Sequence, residues 1–167
     1  MKILLLRHGI AEDRRRALPD AERALTKTGR RRIARIAEQF DRIGLRFARV
    51  YCSPLRRARE TAEIVCRKMR RAPGLLEHAG LAPGGAVAEL LDELNRELRR
   101  DAATVLLVGH EPDLSRLVAT LIAGTPTVAL DWRKGGVCLI EVPPGKLRYA
   151  RCAELRWFVP PKLLRKL

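Results

Sequence analysis

The chain has 167 residues, 47% apolar and 32% charged, which suits one globular domain with a sizeable core. Lysine and arginine outnumber aspartate and glutamate by 34 to 19, and the formal net charge of +15 favours anionic partners. No apolar run approaches the ~20 residues of a membrane span, so a membrane partner is not expected.

The basic residues recur in doublets and triplets, at Arg14–Arg16, Arg30–Arg32, Arg56-Arg57, Arg70-Arg71 and Arg99-Arg100. With only 4% aromatic residues there is little for nucleic-acid bases to stack on, and nucleic acid is not the expected ligand. Cys52, Cys66, Cys138 and Cys152 lie far apart without metal-ligand spacing, so neither zinc nor a disulfide is expected. Met1 leads directly into an apolar strand, and the expected compartment is the cytoplasm.

Ile3 to Leu6 reads as a strand buried on both faces, and it stops at Arg7-His8-Gly9. In open α/β sheets ligands bind at such carboxyl ends. An Arg-rich loop runs to Asp20 and Ala21. A helix follows, capped by Thr26 or Thr28, with Ile33, Ile36, Ala37, Phe40 and Ile43 at helical spacing and Gly44 as its stop. Phe47 to Cys52 reads as a second strand. Ser53 as cap and Pro54 in first position open the next helix, which buries Leu55, Ala58, Ala62, Val65 and Met69. Arg56 and Arg57 stand at its start, where positive charge opposes the helix dipole and points to an anion nearby.

A loop from Arg71 to Gly85 encloses a short strand at Leu75-Leu76. Ala86 to Arg99 returns to helical spacing through Val87, Leu90, Leu91, Leu94 and Leu98. Thr104 to Val108 is a further strand, ending at Gly109-His110-Glu111-Pro112. The helix after it buries Leu114, Leu117, Val118, Leu121 and Ile122. Gly135 to Val142 and Lys146 to Leu155 are expected as antiparallel strands around Pro143-Pro144-Gly145, with residues 157–167 as a strap across the surface. The pattern predicts a single three-layer α/β/α domain over residues 1–167. Its central sheet is mostly parallel, with antiparallel edge strands from the C-terminal hairpin.

Three strand ends thus carry Arg7 and His8, Arg57, and His110. If the strands are parallel, two guanidinium forks and two imidazoles meet at one sheet edge, a set suited to a tetrahedral dianion. Arg7-His8-Gly9, Ser53-Pro54-Leu55-Arg56-Arg57-Ala58-Arg59-Glu60-Thr61 and Gly109-His110 resemble the three signatures of the histidine phosphatase (phosphoglycerate mutase-like) superfamily. Leu25-Thr26-Lys27-Thr28-Gly29, Leu81-Ala82-Pro83-Gly84 and Val108-Gly109-His110-Glu111-Pro112 are most similar to its SixA branch, the bacterial phosphohistidine phosphatases. The resemblance runs from residue 1 to about residue 155.

It implies a phosphatase without metal or other cofactor. His8 would be the nucleophile that becomes phosphorylated, and Arg7, Arg57 and His110 would clamp the transferring phosphoryl group. Gly9 is expected beside the bound phosphate, where the backbone turns away. The implied substrate is phosphohistidine in a protein, captured through the basic surface, with inorganic phosphate as product. Where the SixA pattern has acidic residues around Leu-x-Pro, this chain has Gly80 and Gly85 or Ala86. Glu77 and His78 are the local candidates to assist a leaving group. A loop short of acid suits a P–N bond, since imidazole, of pKa ~6.5, departs easily. Two alternatives stay open: a phosphatase of a small phosphorylated metabolite or polyphosphate, and a non-catalytic phosphate-binding interaction module.

Overall fold

The structure is a computed structural model, and it describes residues 1–14, 16–69, 74–99, 104–143, 147 and 150–164. Arg15, the Arg70-Arg71 pair, Arg100, the Pro144-Gly145 turn and residues 165–167 of the expected strap lie outside the described residues. Strand β1 (Lys2–Arg7) sits in the middle of the fold. Its side chains alternate between faces, so Leu4 and Leu6 enter one core while Ile3 and Leu5 enter another. All four are fully buried, which is why the strand reads as one unbroken apolar run.

Helix α1 (Lys27–Arg42) and helix α2 (Arg56–Lys68) cover the Leu4–Leu6 face through Ile33, Ile36, Phe40, Ala58, Ala62 and Val65. Helix α3 (Val87–Arg99) and helix α4 (Asp113–Ala123) cover the other through Leu90, Leu94, Leu114, Leu117 and Leu121. Strands β2 (Arg49–Cys52), β3 (Gly74–Glu77) and β4 (Thr104–Gly109) run parallel to β1. Strand β5 (Val137–Glu141) pairs antiparallel with β1, and strand β6 (Glu154–Val159) pairs antiparallel with β5. The order across the sheet is β3-β2-β4-β1-β5-β6, a three-layer α/β/α arrangement. No helix among the described residues is long and apolar enough to cross a membrane.

Thr26, of the two expected caps, starts α1: its Oγ1 accepts from the Gly29 N–H at 3.0 Å. Gly29 is required for space. A Cβ there would stand 2.1 Å from the Ile10 carbonyl oxygen, which itself accepts the Thr26 N–H. The start of α1 is thereby locked against the loop that leaves His8. Ile43, assigned by period to the buried face, lies at the helix end and is exposed.

The C-terminal region differs from the expectation. Of the strand expected from Lys146 to Leu155, Glu154 and Leu155 form the start of β6, residues 147 and 150–153 are not strand, and the rest lies outside the described residues; Trp157 to Val159 belong to β6 rather than to a strap. The backbone before β6 serves helix ends. The N–H groups of Cys152 and Ala153 donate to the Leu121 carbonyl at 2.8 and 3.1 Å, and Leu147 exchanges two hydrogen bonds with Asn95 of α3. These polar groups therefore do not extend the ladder with β5. Pro160 and Pro161 end β6, and the short helix α5 (Pro161–Leu164) returns Leu164 to the core beside α1 and α2.

Candidate active site

Register, rather than chain order, brings the reactive strand ends together. Arg7 of β1 lies opposite Gly109 of β4, and Cys52 of β2 lies opposite Val108. The next residues, His8, Ser53 and His110, therefore emerge at one edge. The chain crosses between them directly: His8 N–H donates to the Gly109 carbonyl at 3.1 Å and Ser53 N–H to the Val108 carbonyl at 2.9 Å.

Each side chain is seated by its surroundings. His8 is buried, and its Nδ1–H donates to the Gly9 carbonyl at 2.7 Å, which leaves the lone pair on Nε2. Its ring stands 4.9 Å, centroid to centroid, from that of His110. Nε2 of His110 lies 2.8 Å from Ser53 Oγ. Ser53 turns inward, its Oγ also accepting from the Leu55 N–H at 3.2 Å, and the helix begins two residues later than its sequence position suggests, at Arg56 behind Leu55. Arg7 donates through Nη1 to the Trp132 carbonyl, and its backbone is bracketed by Gly135 and Gly136 at 3.0 and 3.1 Å. Arg57 donates through Nη1 to the Asp20 carbonyl at 2.7 Å and through Nη2 to Asp20 Oδ2 at 3.0 Å.

After these contacts, Nε of Arg7, Nε of Arg57 and Nδ1 of His110 are buried with no hydrogen-bond partner among the described residues. Electrostatics match. Burial, then the charges of His110, Arg57 and Arg7, push the His8 imidazole down to about 3 against the hydrogen bond to Gly9. His110 is pushed down to about 4, by burial first and then by Arg57. Both rings are neutral at pH 7.

Carboxylates of the protein itself lie near the start of α2. Arg56 pairs with Glu60 at 3.1 Å, and Arg57 pairs with Asp20. Buried Glu60 also accepts from Arg30 and from the Leu25 N–H at 2.7 Å, so it ties α1 to α2. Thr61 joins two signatures: its Oγ1 accepts from Gly9 N–H at 3.1 Å and donates to the Arg57 carbonyl at 2.7 Å.

Gly9 is held from several sides. Its N–H is taken by Thr61 and its carbonyl by His8, and a Cβ would lie 2.8 Å from Ile33 Cγ1. It orients His8 through packing and hydrogen bonds. Glu77 pairs with Arg59 at 3.2 Å, and His78 accepts from the Gly80 N–H at 3.0 Å and packs against Tyr51. None of these contacts reaches His8, Arg7, Arg57 or His110. A Cβ at Gly80 would stand 2.7 Å from the Ala86 carbonyl oxygen and one at Gly85 2.3 Å from that of Ala79, so neither glycine position has room for an acid in this loop conformation.

Sequence reasoning passed over Asp20, Arg23, Trp132 and Lys134. Arg23 donates to the Glu12 carbonyl at 2.7 Å and to Asp20 Oδ1 at 2.9 Å, and its charge helps to lower His110. Lys134 is lowered by burial first and then by Arg7, Arg23 and Arg57, so it shares their field. Trp132, buried in a polar connection, holds the Arg7 loop by donating Nε1–H to the Gly136 carbonyl at 2.8 Å. A tryptophan followed by Gly135-Gly136 is the one sequence signal that could have marked that loop.

This geometry has known counterparts. The profile of the histidine phosphatase superfamily (branch 1) matches residues 3–104. An uncharacterized protein of Picosynechococcus sp. (strain ATCC 27264 / PCC 7002 / PR-6) is 33% identical over 164 residues, covering 98% of this chain and 99% of that protein. The solved structure of the protein histidine phosphatase SixA complexed with tungstate superposes with a TM-score of 0.83 at 24% identity, over 98% and 99% of the two chains. The α-ribazole phosphatase of Shigella flexneri superposes with a TM-score of 0.71 at 20% identity, over 96% and 97%. At those identities the structures speak for the fold alone. The profile match takes in more than half of the chain, including Arg7-His8-Gly9 and the Ser53–Thr61 segment, and on it the chain belongs to branch 1 of the histidine phosphatase superfamily.

Proposed function

We propose that this phosphatase takes the phosphoryl group from phosphohistidine in a protein, holds it on Nε2 of His8, and passes it to water. The observation that carries the reading is the trio of buried, unpartnered nitrogens, Nε of Arg7, Nε of Arg57 and Nδ1 of His110, around a neutral imidazole. Each such nitrogen costs roughly 1–3 kcal/mol when left without a partner. The nitrogens are closed to water in this conformation, and a phosphoryl group admitted to them would remove that cost.

The chemistry follows from the donors. His8 has its lone pair on Nε2 and needs no deprotonation before attacking phosphorus. In the tautomer in which the Ser53 hydroxyl donates to Nε2 of His110, the His110 proton sits on Nδ1 and is the donor to the phosphoryl oxygens. Arg7 and Arg57 offset the charge of a loose transition state, which is most of what phosphoryl transfer requires. In the first step the P–N bond of the substrate breaks while Nε2–P forms, and the protonated imidazole departs as neutral imidazole with its electron pair. In the second, water attacks phosphorus, His8 recovers its pair, and orthophosphate leaves with a proton released to solvent.

The carboxylates around the site support an easy leaving group. Burial alone would raise the Asp20 carboxyl, but Arg57, Arg23 and Arg14 hold it below its ordinary value and so ionised. Glu111 is raised by burial, yet both of its oxygens accept from Ser115. Imidazole leaves without an acid where an alkoxide needs one. That the SixA neighbour holds tungstate, a tetrahedral oxyanion, agrees with this reading.

A substrate panel tests it. A histidine-phosphorylated acidic carrier protein is expected to react with a kcat/KM roughly tenfold or more above that of phosphoserine and α-ribazole phosphate. His8→Ala is expected to abolish turnover while keeping oxyanion binding. The reverse ranking would make the protein a small-molecule phosphatase, and oxyanion binding with no turnover of any substrate would make it a binding module.

A further inference from the structure

Asp20 stands on a single 3₁₀ turn, Asp20–Glu22, between the loop after His8 and the start of α1. Three arginines converge on it. Arg57 reaches its carbonyl and Oδ2 at 2.7 and 3.0 Å, while Arg23 and Arg14 reach Oδ1 at 2.9 and 3.2 Å. The Arg57 and Arg23 side chains are 5% and 13% exposed and that of Asp20 39%, so these bonds are partly shielded from water, whereas Arg14 is 83% exposed and contributes little.

A guanidinium carries five N–H groups in a rigid fork. Asp20 uses one on each terminal nitrogen of Arg57, the outer edge of the fork. Asp20 leaves the side edge, Nε–H with the neighbouring Nη2–H, unused; Nε is buried without a partner, closed to water in this conformation, and is the edge an oxyanion would take when admitted to the site. Asp20 and a phosphoryl group can therefore bind Arg57 together, on different edges. The same carboxylate lies between Arg57 and Arg23, which would otherwise repel each other.

We infer that Asp20 is a positioning residue: it holds Arg57 by its outer edge so that the side edge faces the phosphoryl group, and it draws Arg23 to the same cluster. The inference rests on Arg57 binding phosphate as proposed above. Asp20 itself neither touches the reacting atoms nor transfers a proton.

The test is a double-mutant cycle on tungstate and inorganic phosphate affinity, measured by calorimetry on wild type, Asp20→Ala, Arg57→Ala and the double variant, with kcat and KM followed alongside. Asp20→Ala is expected to weaken oxyanion binding about tenfold when Arg57 is present and by less than about twofold when it is absent. Asp20→Asn, which keeps an acceptor without the charge, falls between, and serves if Asp20→Ala folds poorly. Tighter oxyanion binding in Asp20→Ala would make Asp20 a competitor of phosphate and overturn the inference. Equal weakening in both backgrounds would leave it a structural tie of its loop, and would overturn it too. If wild type binds neither anion and Arg57→Ala changes nothing, the phosphate reading of the site falls as well, a result distinct from the failure of Asp20 alone.

Discussion

His8 and His110 share one physical situation: each imidazole is kept neutral by burial and by neighbouring arginine charge, at about 3 and about 4. In the unfolded chain both titrate near 6.5. Between those limits the unfolded chain binds protons that the folded chain refuses, so stability is whole above pH 6.5 and declines as pH falls toward 4. At pH 5 the loss is about 2 kcal/mol for each imidazole. Thermal melting of the wild type is expected to drop between pH 7 and pH 5, and to drop less in His8→Asn, which removes one of the two groups. Saturating tungstate is expected to flatten the wild-type dependence, because a bound dianion favours the protonated ring. An unchanged slope in His8→Asn would mean that His8 is not held neutral in the free protein.

Among the elements, β1 and α2 are the pair on which the site depends, and Thr61 is their junction. Its hydroxyl accepts from Gly9 after β1 and donates to the Arg57 carbonyl in the first turn of α2. Thr61→Val keeps the shape but leaves the buried Gly9 N–H unpartnered, at a cost of roughly 1–3 kcal/mol. Denaturant unfolding is expected to show that loss together with reduced turnover, and Thr61→Ser is expected to recover both. Wild-type stability in Thr61→Val would show the tie to be dispensable. Such junctions were not legible in the sequence, although the elements they join were. Burial on both faces wrote β1, β2 and β4 as apolar runs, and helical spacing marked α1 through α4. Ser53 read as a helix cap because a cap and an inward hydroxyl look alike until His110 is known to lie beside it. The segment before β6 read as strand because its residues suit one, while its N–H groups were claimed by Leu121 and Asn95. Arg7, His8, Arg57 and His110 stood out through position at strand ends. Asp20 and Arg23 did not, because a charged residue in a charged loop carries no periodicity.

At the scale of the whole molecule, the formal charge of +15 is an excess of cations over the carboxylates available to pair with them. Arg156 alone reaches Glu141 and Glu154, Lys68 reaches Glu38, and Arg46 reaches Asp41. Such exposed pairs contribute little to stability, so the excess is better explained by what it attracts. Near the site, Arg133 is 71% exposed and paired with Asp131 at 2.7 Å, and the charges of both reach Arg7, while Arg14 projects from the loop carrying Asp20. A protein substrate with an acidic surface would meet this field at long range, whereas a small phosphate ester meets chiefly the buried donors. Salt separates the two, since the Debye length shrinks from about 10 Å at 0.1 M to about 3 Å at 1 M. Raising sodium chloride from 50 to 500 mM is expected to lower kcat/KM about tenfold or more for a histidine-phosphorylated acidic protein, and only about two- to threefold for a small phosphorylated substrate. Equal slopes would mean that the excess charge takes no part in substrate capture. Binding of duplex DNA is expected to fade by about 150 mM salt, as attraction without base contacts does; persistence there would redirect the basic surface from an acidic protein to nucleic acid.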